Sequence, residues 1–297
     1  AGQPTVLDVA REAGVSASTV SRILNGTARV VDAKRAAVEE AVRRLNYRPN
    51  PAARSLKMGV TMTAGVIAPN LDSAFFARAM VGIEEGLGEC GYAAIILSGN
   101  WNAVIESQRI QLLIDRRVDG LFVIAGSIDD ASLLRHAQHV PIVAVGRQLD
   151  GPQVGAVHVD QQRCGYLATR HLLGLGHRRI AQVAGPSRLR DAVERDVGYR
   201  AALAEAGLPH DPALVEDGDF SETGGVMAMN RLLDRGVPFT AVFAANDQSA
   251  MGAQMALIRR GLRVPDDVSI VGVDDVPAAA YMNPPLTTVR QPGHAIG

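Results

Sequence analysis

The segment from residue 16 to residue 22 carries the side chains whose chemistry is easiest to specify. Ser16, Ser18, Thr19 and Ser21 supply hydroxyls, and Arg22 supplies a guanidinium fork. Hydroxyls bind phosphate oxygens and base edges, whereas a guanidinium can bind both acceptors of one guanine. If one surface presents these side chains together, their combined chemistry is that of nucleic-acid recognition.

Two short helices joined by a tight turn would present them in this way. Apolar residues recur at helical spacing before the turn, and Gly14 stands where a left-handed residue ends a helix at little steric cost. Ser16 is predicted to cap the second helix, whose polar residues and Ala17 would face outward. The apolar residues expected to face inward are Val6, Val9, Ala10, Ala13, Val20, Ile23 and Leu24.

A third helix is predicted from Asp32, which we expect to be its N-cap, to about residue 45. Its inward residues would be Val38, Ala41, Val42 and Leu45. Three helices in about fifty residues make a small but viable core. The segment then reads as a helix-turn-helix unit, whose second helix reaches base edges with its N-terminal half. An ordinary helical hairpin with a polar outer face is the alternative.

Two sequence motifs make the identification specific. From Thr5 the chain reads T-V-L-D-V-A-R-E-A-G-V-S-x-S-T-V-S-R-x-L-N, and from Leu45 it reads L-N-Y-R-P-N-P-x-A-R-S-L. These motifs resemble the DNA-binding headpiece and hinge of the LacI/GalR (lactose/galactose repressor) family, and the likeness continues through the rest of the chain. The resemblance implies a transcriptional regulator, most often a repressor, which binds a pseudo-palindromic operator as a homodimer or tetramer and responds to a small sugar-like effector.

We expect Arg22 to be the main base reader, with Ala17 and Ser18 tuning neighbouring positions. Hydroxyls and amides nearby would hold phosphates, and Arg29 could touch either base or phosphate. The complete set of expected DNA-binding residues is Thr5, Val6, Ser16, Ala17, Ser18, Thr19, Ser21, Arg22, Asn25, Arg29, Tyr47, Asn50, Ala53, Leu56 and Lys57.

Residues 49–60 are predicted to be a hinge. Pro49 ends the preceding helix and Pro51 can open a new one, but 52–56 is barely more than one turn. A helix this short is unstable alone, so it should form only against a partner helix and DNA. The resemblance implies that two such helices lie in the minor groove, with Leu56 wedged between base steps. A flexible linker is the alternative.

The charge is divided unevenly along the chain. Residues 1–60 contain ten Lys or Arg and five Asp or Glu, for a net charge of +5, whereas the remaining residues carry −6. A basic head on an acidic body is typical of a DNA-binding module attached to a domain of another kind. At 297 residues and 47% apolar content, two or three packed domains are expected.

Other functional classes receive little support. Two cysteines, Cys90 and Cys164, do not make a disulfide framework, and we expect free buried thiols in a reducing compartment. No signal peptide and no membrane-spanning run is recognisable, so a cytoplasmic location is expected. The G-x-G-x-x-G of 86–91 ends a predicted helix, and His136 and His139 lack further ligands; neither a nucleotide cofactor nor a metal is therefore expected.

From residue 63 onward, short apolar strands alternate with amphipathic helices. Strands are predicted at 64–68, 93–97, 120–125, 142–145, 156–159, 179–184, 213–217, 240–244 and 269–273. Alternation of this kind predicts parallel sheets covered on both faces. The fold class is therefore α/β, with a three-helix helix-turn-helix headpiece and a two-lobed core like that of periplasmic binding proteins. The expected domains are 1–48 (headpiece), 49–60 (hinge), 61–160 with 291–297 (N-lobe) and 161–290 (C-lobe).

Ligands of such folds lie between the lobes, at the carboxyl ends of the strands. Carboxylates, an amide, a planar cation and aromatic faces are predicted to meet there, which is the set that polyhydroxylated ligands require. Each residue also has a purely structural alternative, such as a surface ion pair for Arg195 or a turn cap for Asp274. The expected effector-binding residues are Phe75, Arg147, Arg195, Phe220, Asn246, Asp274 and Gln291, of which the resemblance supports Arg195, Phe220, Asn246, Asp274 and, more weakly, Gln291.

Departures from the family pattern narrow the class of effector that we expect. Leu189 and Asp191 stand where purine-binding members have polar and basic residues, so a nucleobase is disfavoured. Arg147, if it faces the cleft, would favour an acidic or phosphorylated sugar. The segment at 70–72 departs from the usual pattern, and the family's C-terminal helix and closing strands would follow Gly297. Rival functions are a plain sugar-binding protein and a sugar-acting enzyme, although no general acid/base pair is identifiable.

Overall fold

The computed structural model describes residues 4–24, 31–48 and 59–297. The chain divides into two compact units, residues 1–61 and residues 62–297, and each is described by itself. The first unit is the headpiece and the second is the core. Together they confirm the predicted α/β class with a helical headpiece.

Three helices form the described part of the headpiece: α1 (Val6–Glu12), α2 (Ala17–Leu24) and α3 (Asp32–Arg44). Thr5 begins α1 with a capping box, in which its hydroxyl accepts from Asp8 N and the Asp8 carboxylate accepts from Thr5 N at 2.9 Å. Gly14 has a φ of 65°, as the predicted turn requires. The apolar core contains Val9, Ala10, Val20, Val38 and Ala41, with Val6, Ala13, Val15, Ala17, Ile23, Leu24, Val42, Leu45 and Tyr47 packed around it.

The first lobe of the core is a five-stranded parallel sheet. Its elements are β1 (Thr63–Ala68), α4 (Ala74–Glu89), β2 (Ala93–Ser98), α5 (Ala103–Asp115), β3 (Gly120–Ile124), α6 (Asp130–His136), β4 (Ile142–Val145) and β5 (Val154–Val157). The strand order is β2-β1-β3-β4-β5. Because every pair is parallel, the carboxyl ends of all five strands meet at one edge.

The second lobe repeats this plan with strand order β10-β9-β8-β6-β7. Its elements are α7 (Gln161–Gly174), β6 (Ile180–Ala184), α8 (Arg190–Glu205), β7 (Val215–Asp217), α9 (Glu222–Asp234), β8 (Ala241–Ala244), α10 (Asp247–Arg259), β9 (Ser269–Asp274) and β10 (Thr287–Arg290). Short 3-10 turns occupy Pro212–Leu214 and Pro277–Tyr281. The final helix, α11 (Gly293–Ile296), returns to the first lobe, where the backbone of His294 lies against Gly82 of α4.

Close helix packing positions part of the cleft between the lobes. A Cβ at Gly165 of α7 would lie 2.1 Å from the carbonyl oxygen of Arg195, and one at Gly198 of α8 would lie 2.0 Å from that of Gln162. Only glycine permits this approach of the two backbones. As a result, α8 lies against α7 and brings Arg195 beside Gln161.

The structure corrects several local predictions. Val31, not Asp32, is the N-cap of α3, because the helix already begins at Asp32; the valine side chain has no acceptor, so the helix start has no side-chain cap. The strand expected at 156–159 is β5 at Val154–Val157, and β10 was not predicted. Cys164 is buried, but Cys90 is exposed at the end of α4. Among the described residues, no helix is both long and apolar enough to cross a membrane.

Candidate functional site

The polar residues at the start of α2 form one surface of the headpiece. Thr19 N donates to Ser16 Oγ at 3.2 Å, so Ser16 caps the helix as predicted. The Ser16 hydroxyl also lies 2.9 Å from the hydroxyls of Ser18 and Thr19. Arg22 is exposed one turn further along, and its Nε donates to Ser18 O at 3.3 Å. The helix therefore presents a hydroxyl cluster and a guanidinium on adjoining turns.

The other expected DNA-binding residues are placed differently. Ala17, Val6 and Tyr47 are half-buried and pack against the headpiece core, because small and apolar side chains at these positions complete its rim. Ser21 and Thr19 are half-buried as well, and Thr5 is exposed at its cap. Asn25, Arg29, Asn50, Ala53, Leu56 and Lys57 lie outside the described residues.

The exposed apolar side chain of Leu7 on α1 was not predicted as a site residue. It is 63% exposed, although it lies in a helix whose other apolar residues face the core. Helical periodicity could have predicted its exposure, because Val6 and Val9 face the core and Leu7, which lies between them in sequence, must then face outward.

The core contains a cleft between its two lobes. Its walls come from the loops that follow strand carboxyl ends and from the first turns of the helices after them, as parallel sheets predict. The first lobe contributes Asn70, Asp72, Ser73, Phe75, Phe76 and Trp101, and the second contributes Asp191, Arg195, Asp219, Phe220, Ser221, Glu222, Asn246, Gln248 and Asp274. Of the predicted effector residues, the cleft thus brings together Phe75, Arg195, Phe220, Asn246 and Asp274.

Arg195 is the central cation of this cleft. It is 4% exposed, and its Nε donates to Gln161 Oε1 at 2.9 Å while Nη1 donates to Ala245 O at 2.5 Å. Its Nη2 lies 3.8 Å from Asp274 Oδ1, and its guanidinium carbon lies 5.7 Å from the centroid of the Phe220 ring. The alternative of a solvent-exposed ion pair is therefore wrong for Arg195.

Asp274 is buried opposite Arg195 on a constrained backbone. Its φ is 125°, and that of Asp275 is 56°, both in the left-handed region that non-glycine residues rarely adopt. Burial raises the pKa of Asp274 to about 7, against the lowering effect of Arg195. Asp247 anchors the following turn by accepting from Val276 N at 2.9 Å and Thr288 Oγ1 at 2.5 Å, and burial raises its pKa to about 6.

Phe220 and Asn246 act as a pair. Phe220 has a φ of 68°, and Asn246 Nδ2 donates to its carbonyl oxygen at 2.9 Å. Asn246 Oδ1 accepts from Ser249 N at 2.9 Å and caps α10. A Cβ at Gly185 would lie 2.4 Å from the Phe220 ring, so glycine lets the ring lie flat against the backbone of the second lobe. Asn246 therefore positions the aromatic face and keeps only one amide N–H for a ligand.

Gln291 lies behind the cleft and does not line it. It is 3% exposed, its Nε2 donates to Asp274 Oδ1 at 2.6 Å, and its Oε1 accepts from Gln161 Nε2 at 2.9 Å. Because Gln161 also accepts from Arg195, the four side chains form one closed network. Gln161 was not predicted; its partners are far away in sequence, and an amide at a helix start gives no signal of such a role.

Arg147 lines a neighbouring cavity, and its guanidinium donates to groups of the protein itself. Nη1 donates to Ile128 O at 2.7 Å and to Asp130 Oδ1 at 3.2 Å, and Nη2 donates to Ala125 O at 2.7 Å and to Gly126 O at 3.3 Å. All four terminal N–H groups are therefore engaged. The expectation that Arg147 would favour an acidic or phosphorylated ligand loses its basis, because this guanidinium fixes the loop 125–130 instead.

The cleft is acidic and aromatic. Among the described residues, five carboxylates line it, from Asp72, Asp191, Asp219, Glu222 and Asp274, against the single guanidinium of Arg195. Burial raises the pKa of Asp191, which like Asp72 was not predicted as a site residue. Carboxylates accept hydrogen bonds from hydroxyls and repel anions. Neutral polyhydroxylated ligands suit this lining better than acidic or phosphorylated ones.

Comparisons with known proteins agree with both parts of the molecule. Residues 5–50 match the family of bacterial regulatory proteins of the lacI type, and residues 61–297 match the family of periplasmic binding proteins and the sugar binding domain of the LacI family. The transcriptional regulator CelR of Thermobifida fusca is 40% identical over 305 residues, covering 99% of this chain and 89% of CelR. The transcriptional repressor PurR of Photobacterium profundum is 36% identical over 295 residues, covering 99% and 88%.

Solved structures give the same result. The crystal structure of the Lac repressor dimer bound to operator and the anti-inducer ONPF has a TM-score of 0.89 and 29% identity, covering 99% of this chain and 89% of that one. The two family matches cover residues 5–50, which include the helix-turn-helix, and residues 61–297, which form the two-lobed core. The protein is therefore a member of the LacI family of DNA-binding transcriptional regulators.

Proposed function

We propose that this protein is a repressor that binds a pseudo-palindromic operator as a homodimer and releases or retains it in response to a small, neutral, sugar-like effector. The observation that carries the effector part is the pairing of Arg195 and Asp274 beside the Phe220 ring in the interlobe cleft. A charged fork binds vicinal hydroxyls, and an aromatic face covers the apolar side of a sugar ring.

Operator binding is supported by the exposed face of α2. Ser16, Ser18 and Arg22 are exposed on adjoining turns, and the +5 charge of residues 1–60 favours a phosphate backbone. Arg22 is the base reader in this proposal, and the hydroxyl cluster binds phosphate at the start of the helix. Because one headpiece reads one half-site, a twofold pair of chains reads a pseudo-palindrome.

Dimer formation is supported by apolar residues on the surface of the second lobe. Tyr281 is 88% exposed, and Met255 and Ile258 of α10 are about half exposed. Gln254 Nε2 donates to Asn283 O at 2.7 Å, which ties α10 to the segment that carries Tyr281. Large apolar side chains that remain exposed on one lobe favour an interface between subunits. The Lac repressor structure with operator is itself a dimer.

Effector and operator are coupled through the lobes in this proposal. An effector that prefers one lobe arrangement shifts the population of that arrangement, and the operator affinity changes by the same coupling free energy. The segment 49–60 is the proposed connection, with Leu56 as the wedge that bends the operator; residues 49–58 lie outside the described residues. Leu56→Ala should reduce the bend while leaving the melting temperature of the free protein nearly unchanged.

A DNA mobility-shift experiment tests the proposal directly. The full chain is titrated on its own upstream region and on scrambled DNA, with and without a panel of neutral sugars, sugar phosphates and nucleobases. We expect specific binding that a neutral sugar changes and that phosphosugars and nucleobases leave unaltered. Binding to both DNAs with equal affinity would contradict the regulator, and a response to a nucleobase alone would contradict the effector class.

A further inference from the structure

The interlobe cleft continues into a second chamber. This outer chamber is lined by residues of both lobes and shares Trp101, Asp191 and Phe220 with the first, inner chamber. Three shared wall residues make the two chambers adjoining spaces with a common boundary. A ligand held only by Arg195 and Asp274 would leave the outer chamber unfilled, because neither residue lines it.

The boundary between the chambers is aromatic and comes from opposite lobes. Trp101 follows β2 and has a φ of 52°, while Phe220 follows β7 and has a φ of 68°. Ser127 Oγ donates to Trp101 O at 3.0 Å, and the Trp101 ring lies 5.8 Å from that of Phe76. Two non-glycine residues in left-handed conformations, each fixed by a hydrogen bond to its carbonyl, mark this boundary as a functional position.

The outer chamber has a preformed wall. Glu106 is 1% exposed, and its carboxylate accepts from Ser127 N at 2.9 Å and from Ile128 N at 2.7 Å. Arg147 holds the same loop from the other side through the carbonyls of Ala125 and Ile128. Because the loop is held on both sides, it loses little conformational entropy when a ligand binds, as is expected of a preformed binding site.

One cation of this chamber is available to a ligand. Arg190 is bound to Glu194 at 2.7 Å, and Arg147 is engaged as described above. Arg188 is exposed, lines only the outer chamber and has no hydrogen bond or ion pair with any described residue. It can therefore donate to ligand hydroxyls without losing a protein partner.

We propose that the effector is a two-ring saccharide that occupies both chambers. Its first ring lies against Arg195 and Asp274, its linkage passes between Trp101 and Phe220, and its second ring receives hydrogen bonds from Arg188. The inference rests on the proposed function, since it specifies the length of the ligand in the same cleft. Arg188 and Trp101 become specificity-determining residues, one from each lobe.

Calorimetric titration of the full chain tests this proposal. The probes are cellobiose, maltose, lactose, trehalose and melibiose, each set beside its constituent monosaccharides. We expect at least one disaccharide to bind about tenfold or more tightly than either constituent. Arg188→Ala should weaken that disaccharide about tenfold, the cost of losing hydrogen bonds to a charged donor, and leave monosaccharide affinity within about twofold.

Two further variants complete the design. Trp101→Ala should also reduce disaccharide affinity about tenfold or more. Arg200→Ala is the matched control, because Arg200 is exposed on the same helix as Arg190, is paired with Asp196 and does not line either chamber. Its disaccharide affinity should be unchanged.

Three outcomes would overturn the two-ring effector: monosaccharides that bind as tightly as every disaccharide, an Arg188→Ala variant that weakens both lengths equally or neither, and no saccharide binding at millimolar concentration. In the first two cases, a monosaccharide that still alters operator binding would leave the proposed repressor intact. These experiments therefore distinguish a wrong number of sugar rings in the effector from a wrong proposal of a sugar-responsive repressor.

Discussion

The headpiece and the interlobe cleft carry their functional groups in opposite ways. In the headpiece, Ser16, Ser18 and Arg22 are exposed and lie within seven residues of one another. In and directly behind the cleft, Arg195, Asp274 and Gln291 are each at most 7% exposed and come from elements as far apart as α8 and the end of β10. The headpiece faces a polyanion and is basic, whereas the cleft is lined mainly by carboxylates.

This difference has an energetic consequence. When an exposed side chain on a short helix is removed, water can bind the partner groups that it leaves, so its loss should affect recognition much more than stability. A buried side chain in a closed hydrogen-bond network leaves several orphaned groups, so its loss should affect recognition and stability together. Mutations should therefore separate binding from folding in the headpiece and combine them in the cleft.

The largest expected effect is that of Arg195→Ala. It leaves Gln161 Oε1 and Ala245 O without the donor that Arg195 supplies and removes the charge partner of the Asp274 carboxylate, so the core should lose about 3–5 kcal/mol of unfolding free energy. Effector affinity should fall about a hundredfold or more, since charge-assisted hydrogen bonds contribute about 1.5–3 kcal/mol each. Urea unfolding and calorimetry measure the two quantities.

Asp274→Asn is the control for this prediction, because it keeps the shape of the side chain and its acceptor for Gln291. It should lose effector affinity with a much smaller change in stability. An unchanged free energy of unfolding in Arg195→Ala would show that the four side chains of the network do not depend on one another.

Arg22→Ala should have the next largest effect. It should cost about 1–3 kcal/mol of operator affinity and lower the preference for operator over random DNA, without changing the melting temperature. Arg43→Ala is the matched variant, because Arg43 is an exposed arginine of the same headpiece that pairs with Glu40 on α3. Binding isotherms on operator and on random DNA measure both affinities. An unchanged ratio of these two affinities in Arg22→Ala would contradict the role of Arg22 as base reader.

The pH dependence of the cleft should exceed that of the headpiece. The folded-state pKa of Asp274 is raised to about 7, above the unfolded value of 3.8, so the folded core binds the extra proton and loses stability as pH rises from about 4 to 7. Ligand hydroxyls donate to the ionised carboxylate, so effector affinity should increase about tenfold between pH 6 and pH 8. Calorimetry across this range, with Asp274→Asn as the variant expected to flatten it, provides the check.

The smallest effect is expected at the start of α1. Thr5→Ala removes both hydrogen bonds of the Thr5 hydroxyl and should cost the headpiece about 1 kcal/mol. Glu39→Ala, which truncates an exposed side chain inside α3 of the same headpiece, should leave stability within about 0.5 kcal/mol. Denaturation of the headpiece followed by circular dichroism would show the loss, and equal effects of the two variants would contradict the cap.

Local sequence patterns predicted the fold because its strands and helices depend on periodicity within short windows. The inward residues Val38 and Ala41 of α3 and the strand Ile142–Val145 are confirmed for this reason. Strand β10 was not predicted because Thr287–Arg290 contains one apolar residue, and its pairing with β9 depends on tertiary structure. Ala17 looks like a surface residue in isolation, but it completes the rim of the headpiece core.

Part of the cleft was predictable because some of its residues lie at or just after the end of a strand, although Phe75 and Arg195, which lie on helices, were predicted as well. Asn246, Asp274 and Phe220 lie at such strand ends and line the cleft. The roles of Gln161 and Gln291 were not predictable, because 130 residues separate two amides that bond at 2.9 Å. Arg147 also follows a strand end, but carbonyls of the loop after the neighbouring strand β3 accept hydrogen bonds from its guanidinium, and no pattern in the sequence indicates that.

The backbone next to Asp274 limits how the effector preference could be redesigned. Arg78 of α4 donates to the carbonyl oxygen of Asp275 at 3.3 Å. The first lobe therefore forms a hydrogen bond to the second lobe at the residue next to Asp274. Any replacement that shifts the backbone at Asp274 would therefore alter the lobe arrangement before a ligand arrives. Engineers who want a sensor for a new sugar should vary Asp72 or Gln248, which line the cleft without this link, and keep the turn at 274–275 unchanged.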